Sequence, residues 1–227
     1  MKKYRIHLIR HGLTQGNVEG RYVGVTDLPL CDKGISELKS LKSQHEYPDA
    51  DLIFTSPLLR CIQTANVIYE GQDYMIADDL IECNFGVFEN KNYCELKDND
   101  DFKKWISGDV SITPPNGEST LDFIERCVNG FSKIAEYLMK TGIESASIIT
   151  HGGVIMSILS SLAYPKKSFY DWMVSNGMGY TVSLSPQLWM SGSIIEVINI
   201  LPIGNNDVGT QQQRDLFNLD NLHDDKR

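Results

Sequence analysis

The sequence predicts an α/β domain: a three-layer α/β/α sandwich with a mostly parallel central sheet and a small inserted cap region. Three observations carry this expectation. Short β-branched runs alternate with segments of helical periodicity, the pattern of strands joined by crossover helices. The 227 residues, 41% of them hydrophobic, suffice for a sizeable core without covalent or metal staples. No linker rich in Pro, Gly or Ser divides the chain, so residues 1–203 read as one domain.

Tyr4–Ile9 (YRIHLI) alternates and is followed by Gly12, so it reads as a strand. Gly34–His45 places Ile35, Leu38 and Leu41 three apart, as a helix with one apolar stripe requires. Asp51–Ser56 and Ala146–His151 are short β-branched runs of the kind buried in a parallel sheet. Leu58–Tyr69 has helical spacing through Leu59, Ile62, Ala65 and either Val67 or Ile68. Glu118–Leu138 repeats it through Leu121, Ile124, Val128, Phe131, Ile134 and Leu138. Gly152–Ala163 is apolar on most sides and reads as a buried helix, and Tyr180–Ser185 and Gly192–Ile200 as later strands. Phe85–Asn116 is polar, aromatic and irregular, an excursion capping one end of the sheet. Residues 204–227 form a polar tail, in which Leu216, Phe217 and Leu219 are the side chains suited to docking.

The net charge of −9 argues against nucleic acid or anionic lipid as a partner. A small anionic substrate stays open, because a few arginines in a cleft override the mean field locally. No apolar window is long enough for a membrane span. Arg5, His7 and Arg10 interrupt the only N-terminal stretch resembling a signal segment. The cysteines Cys31, Cys61, Cys83, Cys94 and Cys127 are odd in number and contain no CxxC pair, which predicts reduced thiols and a cytoplasmic location. No metal-ligand spacing, Walker A loop or Cys-x5-Arg pattern is present, so no metal and no cofactor are expected. The sequence is silent on oligomeric state.

Ligands of open parallel sheets bind beyond the carboxyl ends of the strands. Three proposed strands run out there into chemistry-bearing residues: the first delivers Arg10 and His11, the second Arg60 in the following turn, the third His151, Gly152 and Gly153. Together these make a phosphate pocket. Arginine offers a bidentate fork to phosphate oxygens. Glycine turns and helix N-termini offer backbone N–H groups. A histidine can donate to phosphate or accept the phosphoryl group, and Asn17 adds a neutral donor. His7 alternates with Arg5 away from this rim, and His45 and His223 sit in polar contexts. None of the three is given a role.

LIRHGLTQGN (Leu8–Asn17) resembles the RHG signature of the histidine phosphatase superfamily, the phosphoglycerate mutase-like proteins. Gly20–Gly34, Thr55–Ala65 (TSPLLRCIQTA), Leu80–Asn90 (LIECNFGVFEN), Pro114–Cys127 and Ile148–Ile155 (IITHGGVI) resemble its further motifs, in the family's order. The resemblance spans roughly residues 4–200. It implies that His11 is the nucleophile that becomes phosphohistidine. Arg10, Arg60 and His151, assisted by Asn17, would hold the phosphoryl group. Glu82 would protonate the leaving oxygen and then activate water. Val23, Gly24, Phe85 and Gly152 are candidate substrate contacts. Burial near Phe85 and Phe88 would raise the pKa of Glu82 and nearby arginines would oppose that. Glu118 would pair with Arg126 or Arg10. Asn90 stands where many members have glycine.

Mutases of this family read RHGES followed by a Trp-Asn pair and carry paired arginines in a longer middle region. Here Thr14 and Gly16 differ, and Glu82–Pro114 holds Lys91, Lys97, Lys103 and Lys104 but no arginine, a poor carboxylate clamp. The expected function is therefore metal-independent hydrolysis of a small phosphorylated metabolite. Mutase-type phosphoryl transfer is the first alternative, and a non-catalytic phosphometabolite-binding protein the second.

Overall fold

The computed structural model describes residues 2–107 and 111–205. Its sheet has seven strands: β1 (Tyr4–Arg10), β2 (Leu52–Thr55), β3 (Met75–Ile76), β4 (Ser145–Thr150), β5 (Ala163–Tyr164), β6 (Gly179–Leu184) and β7 (Ile195–Leu201). They lie in the order β3-β2-β4-β1-β6-β7-β5. Only β6 runs against the others, pairing antiparallel with β1 and with β7, so the sheet is mostly parallel, as expected.

The helices are α1 (Gln15–Val18), α2 (Asp32–Gln44), α3 (Leu59–Ile68), α4 (Tyr93–Leu96), α5 (Asp100–Ile106), α6 (Thr120–Thr141), α7 (Gly152–Leu162) and α8 (Pro186–Gly192). Alternation along the central strands divides them between two faces. Ile6, Leu8, Phe54 and Ile148 meet α6 and α7 through Phe131, Leu138, Val154 and Ile158. Ile9, Ile53 and Ile149 meet α2 and α3 through Leu38, Cys61 and Ala65. These are the three layers the periodicities predict.

Local chemistry sets the helix ends. The Ser119 Oγ accepts from the Asp122 N–H at 3.1 Å, and Gly142, left-handed at φ 75°, closes α6. The strand expected from Gly192 begins instead at Ile195, because Ser185 and Pro186 start a helix there and Ser193, left-handed at φ 53°, ends it. No membrane-crossing helix, long and apolar enough, exists among the described residues.

The excursion after Glu82 leaves and rejoins the domain at one neck, where the Glu118 N–H donates to the Asn84 carbonyl at 2.9 Å and the Val87 N–H to the Pro115 carbonyl at 3.0 Å. Phe88, Leu96 and Phe102, with Tyr22, form a small core of its own. Asn90 is left-handed at φ 57°, which explains why glycine suits this position and why asparagine, the side chain that best tolerates that region, replaces it. The domain closes where Glu46 and Ile203 exchange backbone hydrogen bonds of 3.3 and 2.8 Å. Of the tail, Leu216, Phe217, Leu219 and His223 lie outside the described residues.

Candidate active site

The register puts the three strand ends level: Arg10 pairs with Thr150 and Thr55 with Ile149. The residues following them meet above this edge. The His11 N–H donates to the Thr150 carbonyl at 2.9 Å, and the Gly12 N–H to the Thr64 Oγ1 at 2.9 Å. From the opposite side Asn176 Nδ2 donates to the carbonyls of His11 (3.0 Å) and Gly12 (3.3 Å). The turn carrying His11 is thus held by β4, α3 and the segment before β6.

Within this turn the His11 Nδ1 lies 2.7 Å from the Gly12 carbonyl oxygen. A carbonyl only accepts, so Nδ1 carries the proton and Nε2 keeps its lone pair. Burial, then the charges of Arg60 and Arg10, hold the His11 pKa well below the usual histidine range, so the ring is neutral. His151 has its ring centroid 5.2 Å from that of His11 and is likewise kept neutral, first by burial and then by Arg60. Its Nε2 sits 2.7 Å from the Ser56 Oγ.

Asn17 is oriented by its neighbours. Its Oδ1 accepts from the Thr14 N–H (3.1 Å), the Thr14 Oγ1 (3.0 Å) and the Asn176 Nδ2 (3.3 Å), in a capping box at α1. Three donors on the oxygen identify that atom and leave the NH2 group for the cavity that Asn17 lines.

Arg60 is 1% exposed. Its Nη1 donates to the Thr26 carbonyl (2.9 Å) and its Nη2 to the Gly24 carbonyl (2.7 Å), while the buried Nε has no hydrogen-bond partner. A buried cation with an unused donor is costly by itself and suits an anionic guest. Arg10, partly buried, donates through Nη1 to the Val174 carbonyl at 2.7 Å. Burial lowers the pKa of both arginines.

Glu82 is buried, with Oε1 accepting from the Cys83 N–H and Oε2 from the Gly153 N–H, each at 3.0 Å. Burial raises its pKa, and those two hydrogen bonds, with Arg60 and Arg10, oppose the rise. A side chain on Gly153 would collide with the Glu82 carboxylate, so the glycine at the start of α7 permits their close approach. Of the two partners foreseen for Glu118, Arg126 is the one found, with bonds of 2.8 Å from Nε and Nη2. Arg126 also donates to the carbonyls of Asp79 and Ile81 and so braces the backbone leading to Glu82.

Arg10, His11, Asn17 and Glu82 share a cavity of about 450 Å³. Val23, Phe85 and Gly152 line it as well. Gly24 does not: it is packed under the Cys83 carbonyl and Glu89, and its own carbonyl serves Arg60. Arg60 and His151 are buried and do not line the cavity. The outer walls are Tyr22, Phe85, Trp105, Phe123, Met156 and Tyr170, mostly apolar. Among the described residues, the one arginine or lysine lining it besides Arg10 is Arg21, whose charge is engaged by Glu19 at 2.5 Å and Glu95 at 3.0 Å.

No sequence motif singles out Ser56, Asn176 or Tyr170 as a site residue. Asn176 is remote from every motif, and only the antiparallel pairing of β6 with β1 brings it to His11. His7, expected to point away from the site, is buried against the Thr181 Oγ1 on β6 at 2.9 Å. Cys61, Cys83 and Cys127 are buried thiols whose pKa values burial pushes up, that of Cys61 to about 12. No group of three or more side chains suited to a metal ion occurs among the described residues.

A family model described as "Histidine phosphatase superfamily (branch 1)" matches residues 6–192. A protein of Salmonella typhi named adenosylcobalamin/alpha-ribazole phosphatase is 29% identical over 185 residues, 79% of this chain and 90% of that protein. The crystal structure of the alpha-ribazole phosphatase from Shigella flexneri superposes with a TM-score of 0.74 at 24% identity, over 87% of this chain and 96% of that one. A phosphoglycerate mutase structure from Bacillus anthracis superposes with a TM-score of 0.71 at 21% identity, over 87% and 92%. At these identities the two structures speak to the fold alone.

Proposed function

The chain belongs to branch 1 of the histidine phosphatase superfamily, and on that footing we propose that it hydrolyses phosphomonoesters through a phosphohistidine on His11. The observation that carries the proposal is the neutral His11 ring, its Nδ1 committed to the Gly12 carbonyl at 2.7 Å, in one cavity with a buried carboxyl group. His11 Nε2 attacks phosphorus as the ester P–O bond breaks. Arg10, Arg60, His151 and the Asn17 amide take up the charge on the phosphoryl oxygens. Protonated Glu82 gives its proton to the departing oxygen, so an alcohol leaves and a carboxylate remains. The carboxylate then takes a proton from water as that water attacks phosphorus. The P–N bond breaks, and inorganic phosphate, neutral His11 and protonated Glu82 are restored. No step calls for a metal.

The walls support a monoester of a bulky, weakly charged alcohol, and a ribazole-type phosphate, named in the relatives, fits that description. A phosphoglycerate would meet apolar walls and an arginine already held by Glu19 and Glu95. A cytoplasmic location belongs to the same reading, resting on five free cysteines.

The test is turnover of an aryl phosphate in excess chelator by the native protein and by His11→Ala. Native turnover that survives the chelator and disappears in the variant is expected. Native-level activity in the variant overturns the nucleophile assignment. Efficient isomerisation of 3-phosphoglycerate with a bisphosphoglycerate primer overturns the choice of hydrolysis over transfer.

A further inference from the structure

Glu89 lies outside the cavity wall, yet both of its carboxylate oxygens are fully engaged by the two loops that flank the site. Its Oε2 accepts from the N–H groups of Gly24 (3.1 Å) and Thr26 (3.3 Å) and from the Thr26 Oγ1 (2.6 Å). Its Oε1 accepts from the N–H groups of Val25 and Phe85, both at 3.0 Å. The first four donors belong to the loop whose carbonyls, at Gly24 and Thr26, hold the two terminal nitrogens of Arg60. The fifth belongs to the loop that carries Glu82.

We infer that Glu89 is a positioning residue that acts through the backbone of residues 24–26 to aim Arg60, and that it ties this arginine to the loop of Glu82. The inference rests on the reading of Arg60 as a phosphoryl ligand. With both Nη groups held by backbone carbonyls, the guanidinium plane is set, and the buried Nε keeps its direction. The carbonyls stay in place because the N–H groups of the same three residues converge on one carboxylate. A carboxylate group offers acceptors at both oxygens, which is what five converging donors require. A glutamine of the same shape would turn an NH2 group against backbone N–H donors at one of them, and the loop would have to shift. Thr26 adds a side-chain hydroxyl to the same carboxylate, and Gly24 makes room for it, since a Cβ there would collide with Glu89 and with the Cys83 carbonyl.

Position and charge have opposite consequences here. Removing a negative charge near Arg60 would by itself tighten an anion, whereas losing the aim of Arg60 would loosen it. The experiment measures the inhibition constant of inorganic phosphate, kcat/KM on an aryl phosphate and the melting temperature for native protein, E89Q, R60A and the double variant. E89Q is expected to weaken phosphate and to lower kcat/KM by about tenfold or more, as small misplacements of a reacting group do. In the R60A background it is expected to add little, because residues acting through one another are not additive. Phosphate binding that is unchanged or tighter in E89Q, or a full multiplicative loss on top of R60A, overturns the inference. Native-level activity in R60A sinks the phosphoryl-ligand reading beneath it instead. Should E89Q fail to fold, Thr26→Val removes only the 2.6 Å bond; weaker phosphate binding in that variant supports the inference and native affinity overturns it.

Discussion

The carboxylate of Glu82 accepts a hydrogen bond from the backbone N–H of Gly153, 3.0 Å away in the first turn of α7. The contact joins the loop of Glu82 to the helix that starts beside His151, and it holds the Glu82 carboxyl group at the wall of the His11 cavity. A helix N-terminus favours the carboxylate form. Burial favours the acid and prevails, since the pKa of Glu82 is raised.

Glu82→Gln keeps the shape of this contact and removes the proton. Turnover is expected to fall about 10²–10⁴-fold, the usual contribution of a positioned acid–base group. On quenching during turnover, the variant should hold more phosphohistidine than native protein, because water is no longer activated. The native pH–rate profile should lose activity on its alkaline side as Glu82 ionises, at a pH above the ordinary carboxylate range. Its acid side should stay open, because the depressed pKa keeps His11 neutral there. An unchanged profile in the variant removes Glu82 from the role.

Trp105 makes edge and tilted contacts with Tyr22, Phe85, Phe88 and Phe102 at centroid distances of 5.5–6.0 Å, and it lines the outer cavity. It touches the leaving group in the proposed mode and not the phosphoryl group. Trp105→Ala should therefore lower kcat/KM for a bulky aryl ester about tenfold or more and leave a short alkyl ester within about twofold. Equal losses on both esters would show that the cap acts on folding or on catalysis and not on the leaving group.

His7 has its pKa lowered to about 4, by burial first and by Arg5 second, against 6.5 in an exposed chain. Between these values the unfolded chain binds the extra proton, so folded stability rises with pH there. The contribution is complete above pH 6.5 and is lost as pH falls towards 4. His11 and His151 act in the same direction, so His7→Gln is needed to isolate this share. The loss of stability between pH 7 and pH 4, read from urea midpoints, should shrink by roughly 3 kcal/mol in the variant. An equally steep loss would show that His7 titrates alike in both states.

The legible parts of this protein are those in which function and local pattern share a few consecutive residues. A strand, its polar terminus and the glycine after it lie within one motif, so Arg10, His11, Arg60 and His151 could be found by the elements preceding them. Helix ends were legible to within a few residues, since caps are local. α8 and Asn176 were not. A helix of seven residues makes about two turns, too few to show a period, and an asparagine in a turn has no distinguishing neighbours. Glu118 could be paired with an arginine but not with a particular one, because Arg126 and Arg10 are equally plausible until the start of α6 is placed.

The sequence by itself determined the family, the layered α/β fold and which side chains the strand ends carry, because strand periodicity, strand ends and ordered motifs are properties of adjacent residues. Only the tertiary structure decided the protonated nitrogen of His11, the direction of the Asn17 amide, the shielding of Arg21 and the anchoring of Arg60 through Glu89. Each of these depends on which donor meets which acceptor across more than one element. Such meetings follow from packing and register, which place atoms to within tenths of an ångström and leave no trace in residue order.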